Sequence, residues 1–234
     1  VYNNANGTVN VNTGGTVQTI NSYYSSGIAI YNNASGAINI NGGTVKTDNN
    51  KGGDAAIFNK GTGKITISGS AIIQNRNQDI EKSTIVLNAG TSSDTLLEIK
   101  GGTISNEYSG SGSYAIYNKT EATILISSGG TTIIKAGGKA MNTAPEIDSS
   151  LRGSGSNAYS GYNKTNYDPM ELGNYRYLEF KPATVPNAPT NLNVTQGNRQ
   201  LSLSWTAPSD NGGRDILRYE YTVDDGAHWT STNS

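Results

Sequence analysis

Apolar residues in the first 145 positions fall in short alternating triplets separated by Gly, Asn and Ser. Ala29-Ile30-Tyr31-Asn32 is followed by Ala37-Ile38-Asn39-Ile40-Asn41 and by Gly42-Gly43-Thr44-Val45. Ala56-Ile57-Phe58-Asn59 leads into Ile65-Thr66-Ile67, and Ala115-Ile116-Tyr117-Asn118 into Ile124-Leu125-Ile126 and Gly129-Gly130-Thr131. The opening residues repeat the phrase as Val1-Tyr2-Asn3, Val9-Asn10-Val11 and Gly14-Gly15-Thr16-Val17. A fourth copy is worn, with Ile85-Val86-Leu87-Asn88, Leu97-Glu98-Ile99 and Gly101-Gly102-Thr103-Ile104, and a sixth, Ala140-Met141-Asn142, breaks off. Self-similarity at a fixed period is the signature of a solenoid or array.

Aligned on one asparagine, the repeats place Asn3, Asn32, Asn59, Asn88, Asn118 and Asn142 at spacings of 29, 27, 29, 30 and 24. Each repeat holds three β-prone pieces, and Gly and Asn between them supply turns and positive φ. The two-residue alternation puts Ile38 and Ile40 on one side and Asn39 on the other. A helical repeat is excluded, because Gly and β-branched residues disfavour helices. Three short strands per repeat predict a coil of a parallel β-helix, about five to six coils in all, rising about 4.8 Å per coil. Ile30, Ile57 and Ile116 are expected to form one internal column, and Ile38, Ile65, Leu97 and Ile124 another. The recurring asparagine is expected to turn inward and bond to its counterparts above and below, a ladder that satisfies polar atoms at a buried corner.

The repeat ends at Thr143-Ala144-Pro145. Residues 143–182 read as a C-terminal cap, with Tyr175 to Phe180 as a final strand, because an open solenoid end exposes apolar core and strand edges. Tyr159 and Tyr162 in this segment, with Tyr23, Tyr24, Tyr108 and Tyr114 in coil loops, are candidate sugar-stacking residues. Residues 183–189 carry Pro186 and Pro189 and read as a semi-rigid linker. Beyond it, Asn191-Leu192-Asn193-Val194, Leu201-Ser202-Leu203-Ser204-Trp205, the turn Asp210-Asn211-Gly212-Gly213, Ile216 to Val223 and Asp224-Asp225-Gly226 with Trp229 mark alternating strands and turns.

Two resemblances follow from these residues. The A-I-x-N and G-G-T repeats over residues 1 to about 180 resemble the right-handed parallel β-helix, pectate-lyase-like solenoids, and more narrowly the solenoid regions of large bacterial surface proteins. Residues 190–234 are similar to the N-terminal half of a fibronectin type III domain; Trp205 and Tyr219 would then be covered by strands that these residues do not include. The fold class expected is all-β, a β-helix plus a partial fibronectin type III sandwich. A two-layer core needs both layers, so the half-sandwich is expected to be marginally stable.

Composition narrows the function. Hydrophobic residues make up 34% of the 234, and charged residues 15%, with a net charge of -1 and no charged residue before Lys46. No basic stripe for a nucleic-acid partner is present. No apolar run approaches the roughly 20 residues of a membrane span. With no cysteine, thiolate catalysis and zinc–thiolate sites are excluded. The lone histidine, His228, cannot build a Ser-His-Asp triad. No calcium-roll motif occurs, and no metal or cofactor is expected. A threonine column at Thr16, Thr44, Thr103 and Thr131 is broken at Ala71, which argues against an ice-binding face.

The lyases and hydrolases of the resembled superfamily use clustered acids with Arg or Lys. The candidates for such a site are Asp48 and Asp79, with Lys46 and Arg76; Lys135 follows the third strand too. Paired carboxylates for glycoside hydrolysis sit about 5–10 Å apart, but the acids do not recur at one repeat position. Solvated loop charges that guard a long sheet are the competing reading. The expectation is therefore a non-catalytic stalk or adhesin segment, extracellular or bound to a bacterial cell wall, monomeric, with a glycan or host surface protein as partner. A fragment of a polysaccharide lyase or glycoside hydrolase is the alternative.

Overall fold

The computed structural model describes residues 1–20, 27–48, 54–158, 160–213 and 215–233, and these divide into two units, Val1–Pro182 and Ala183–Ser234. In the first unit each repeat makes one coil of three strands. Tyr2–Asn3, Val9–Asn12 and Thr16–Ile20 form the first coil, and Ile30–Asn32, Ile38–Asn41 and Thr44–Asp48 the second. Each strand pairs in parallel with its counterpart one coil on, as in Ile30 with Ile57, Ile38 with Ile65 and Val45 with Ile73. The result is a parallel β-solenoid of about five turns with three sheets along its sides.

The alternation read from the sequence is what closes the coil. Ile30, Ile57, Ile85, Ile116 and Met141 stack in register as one fully buried column. Ile38, Ile65, Leu97 and Ile124 form a second. Each such side chain contributes roughly 1.5–3 kcal/mol of burial before entropy is subtracted. Outward neighbours stack as well: the rings of Tyr2, Tyr31 and Phe58 follow one another at 5.2 and 5.5 Å, nearly parallel.

The corner after the first strand is built from asparagine and glycine. Asn32 and Asn59 are fully buried. Asn3 Nδ2 donates to Asn32 Oδ1 at 3.0 Å, and Asn32 Nδ2 to Asn59 Oδ1 at 2.8 Å. The same amides donate across their own corner four residues on, Asn3 to the Gly7 carbonyl, Asn32 to Gly36 and Asn59 to Gly63. Glycine is required there by the neighbouring coil, since a Cβ on Gly63 would lie 1.9 Å from the Gly36 carbonyl oxygen, and one on Gly36 2.1 Å from that of Gly7.

The column does not continue through Asn88. In the fourth coil Leu87 pairs with both Asn59 and Asn118, and Asn88 sits one position later, exposed. A buried leucine thus replaces the amide and breaks the ladder into pieces. Asn118 is buried and donates to the Ala122 carbonyl at 2.8 Å. Asn142 is also displaced, because Met141 pairs with Ile116; its exposed side chain brackets the Asn118 backbone, accepting from its N–H and donating to its carbonyl. The threonine column is likewise interrupted: Thr16 and Thr44 are followed in register by Ile72, Thr103 and Ile133, and Thr131 precedes its strand.

After the last coil the chain turns back. Tyr177–Pro182 pairs antiparallel with Thr132–Ala136, and Leu151–Asn157 and Tyr162–Lys164 add two further antiparallel strands to the third sheet. Tyr175, Leu178 and Phe180 are fully buried and join the solenoid core. Tyr162 and Tyr167 pack on the Tyr175 ring at 5.5 and 5.6 Å. Burial, then Tyr175 and Asp168, push the Tyr167 phenol up to about 12.

The second unit holds two antiparallel pairs, Thr190–Gly197 with Gln200–Thr206 and Arg218–Tyr221 with Thr230–Asn233. Trp205 meets Tyr219 edge-on at 5.0 Å. Leu192, Val194 and Leu203 line a groove of about 830 Å³ beside them. Leu192, Leu201, Val223 and Trp229 are exposed.

Candidate functional site

On the outer face of the third sheet Gln18, Lys46, Gln74, the buried Ser105 and Lys135 share a register, and Tyr177 completes it on the antiparallel strand; Thr16, Thr44, Ile72, Thr103 and Ile133 form a second register beside it. Lys46 and Lys135 therefore lie within their strands rather than after them, two coils of Gln74 and Ser105 apart. Arg76 is exposed just beyond Ile72–Asn75. Asp79 caps the short turn Ile80–Lys82, its carboxylate accepting from the Glu81 N–H at 3.0 Å. The side chain of Asp48 lies outside the described residues, as do Tyr23, Tyr24 and Tyr159.

The other acids with described partners are also engaged locally. Asp54 pairs with Lys82 at 3.3 Å and Glu81 with Lys119 at 2.9 Å. Glu98 projects from the second sheet between Lys64 at 2.7 Å and Lys100 at 3.2 Å, and accepts from Ser127 at 2.8 Å. Burial opposes its ionisation, but the bonds from Lys64, Ser127 and Lys100 outweigh that and hold the carboxyl at about 2. Among the described residues no three His, Asp or Glu side chains are grouped to hold a metal ion, and no helix is long and apolar enough to cross a membrane. His228, in the second unit, is exposed and bonded to the Asp224 carboxylate.

One concave feature of the solenoid unit gathers chemistry from several elements. A cleft of about 390 Å³ lies where the loop after Gly102–Asn106 meets the antiparallel strands, lined by Glu107, Tyr108, Lys135, Ser156, Arg176 and Tyr177 among others. Lys135 and Tyr177 are cross-strand partners, and Ser156 is the next residue across. Glu107 bridges to Lys135 at 3.4 Å. Burial, then the neighbouring Glu179 carboxylate, raise the Tyr177 phenol above its ordinary value.

The loop is held rigidly. The buried Asn106 amide donates to the carbonyls of Asn77 and Tyr114, and its oxygen accepts from the N–H groups of Asn77 and Tyr108. All four of its bonding positions are used, stapling two successive coil corners. Tyr108 donates its hydroxyl to Gln78 Oε1 at 2.9 Å, and its ring packs on Gly110, where a Cβ would come within 2.3 Å of Cε1.

Of the candidate tyrosines among the described residues, Tyr108 alone lines this cleft. Tyr114 packs on Tyr117 at 5.8 Å. Tyr162 is spent in the antiparallel segment, its ring on Tyr175 and beneath Lys164. Arg176 and Tyr177 lie outside the repeat, and the sequence marked them only as part of the expected final strand, Tyr175 to Phe180.

Comparison with known proteins finds no matching family, no matching characterised protein and no matching solved structure.

Proposed function

We propose that the chain is a non-catalytic segment of a secreted or wall-attached bacterial protein, a stalk or adhesin in which a right-handed, pectate-lyase-like β-solenoid presents a glycan-binding surface and is followed by a fibronectin type III-like module. The observation that carries this reading is how the acids are used: Asp54, Asp79, Glu81 and Glu98 each serve a local cap or ion pair, while the outward column of the third sheet is Gln, Lys and Ser rather than stacked carboxylates. A solenoid with inward aliphatic columns and outward-facing side chains repeated coil by coil suits reach and display. The paired strands of the second unit, with Trp205 against Tyr219 and alternating Leu201 and Leu203, support the fibronectin-like reading.

The test is to incubate the full chain with a panel of polysaccharides and follow both retention and chain cleavage. Saturable binding without release of reducing ends or unsaturated products is expected. Cleavage abolished by Asp48→Ala with Asp79→Ala would overturn the proposal in favour of a lyase or hydrolase.

A further inference from the structure

The cleft beside Tyr177 has the chemistry of an anion-bearing sugar site. We infer that it binds a saccharide unit carrying a carboxylate or sulfate, with the anion between Lys135 and Arg176 and the sugar against Tyr108 and Tyr177. The inference rests on the glycan-binding reading above and names where and what kind of glycan.

Three observations carry it. Charge comes first: the cleft sets two cations, Lys135 and Arg176, against one carboxylate, Glu107. Lys135 keeps about half of its side chain exposed and uses only one described ion pair, so its ammonium, with three donors, retains capacity for a ligand. The second is donor excess: the Tyr177 hydroxyl, a phenol and therefore a neutral donor, lines the cleft one strand from Lys135. A site with more donors than acceptors selects an anion, because oxygen acceptors are what such groups lack. The third is preorganisation. Asn106 fixes the loop backbone and Gln78 and Gly110 fix the Tyr108 ring, so little conformational entropy is lost when a ligand settles there. Further along the same column the next coils place the buried Ser105 and the neutral Gln74 before the next cation, Lys46, so among the described residues no second pair of cations faces one cleft there.

Binding of the full chain to immobilised chondroitin sulfate, hyaluronan and alginate, with dextran as the neutral comparator, tests the inference. At least one acidic polymer is expected to bind, more weakly as salt is raised, since the attraction is partly ionic. Lys135→Glu is expected to weaken it about tenfold or more, the scale of losing one close charge contact and gaining a repulsive one. Lys135→Gln and Tyr177→Phe, which add no charge and little strain, are expected to weaken it less but measurably. Lys60→Glu, an exposed change at a different corner, is expected to leave it unchanged. Equal loss in Lys60→Glu and Lys135→Glu would show diffuse attraction and no cleft site. Binding to dextran alone, insensitive to salt, would overturn the anionic cleft and leave the glycan-binding proposal standing. Retention of no polymer would remove both.

Discussion

Replacing Asn59 by leucine isolates what the buried corner amide contributes. Asn59 Oδ1 accepts from Asn32 Nδ2 at 2.8 Å, and Asn59 Nδ2 donates to the Gly63 carbonyl at 2.7 Å. Asn32 Nδ2 keeps other acceptors, the carbonyls of Ala34 and Gly36 at 3.1 and 3.0 Å. The Gly63 carbonyl has no such reserve from this side chain and sits at a buried residue. An orphaned buried acceptor costs about 1–3 kcal/mol, and the lost amide–amide bond adds about 1. The expected destabilisation is thus about 2–4 kcal/mol, which for a unit of this size corresponds to a fall in Tm of roughly 5–15 °C. Asn59→Ala, which removes the same bonds without adding bulk, should show a similar or larger loss. Asn88→Leu, at the exposed position one step off the column, should stay within about 0.5 kcal/mol of the parent. The measurement is thermal unfolding followed by far-ultraviolet circular dichroism on the three variants side by side. If Asn59→Leu melted with the parent, or if Asn88→Leu fell as far, the corner amides would be turn residues and nothing more.

Gly63→Ala should be worse than either asparagine change, because its Cβ meets the Gly36 carbonyl and neither backbone can retreat without unpairing coils; a folded, soluble variant with an unaltered melt would refute the close approach. For Glu98 the folded carboxyl lies well below its ordinary value of 4.5, at about 2. A depressed pKa contributes stability that is fully present above the ordinary value and is lost as pH falls from about 4.5 through about 2, with a ceiling of about 3 kcal/mol. Glu98→Gln should flatten denaturant stability across that window, and an unchanged pH dependence would show that Lys64 and Lys100 do not hold the carboxylate. Both tryptophans, Trp205 and Trp229, lie in the second unit, so their fluorescence reports that unit alone. With Leu192, Leu201 and Val223 exposed, it should lose structure below the temperature at which the solenoid's circular dichroism changes; coincident transitions would contradict the marginal stability argued for it.

Much of the solenoid was legible in the sequence because its rules are local. Alternation about Ile38 and Ile40 decides which side chains face inward, and a recurring phrase means that each coil meets its own likeness, so Ile30 on Ile57 and Ile65 on Ile38 follow from alignment alone. The Asn3–Asn32–Asn59 ladder follows for the same reason, and a glycine four residues after each of these asparagines was there to be read as its partner. Register was not legible where the repeat is worn. Ile85-Val86-Leu87-Asn88 can be aligned on its asparagine or on its aliphatics, and only packing between coils chose the aliphatics, because burying Leu87 and exposing Asn88 costs less than the reverse. The same competition displaced Asn142 in favour of Met141. The cleft as an assembly was not legible in the sequence, although Tyr108 stood among the candidate sugar-stacking residues. Its residues come from two successive coils and two antiparallel strands, spread over some 70 positions of the chain from Glu107 to Tyr177. Nothing periodic links them, and only the reversal of the chain after the last coil sets Tyr177 beside Lys135.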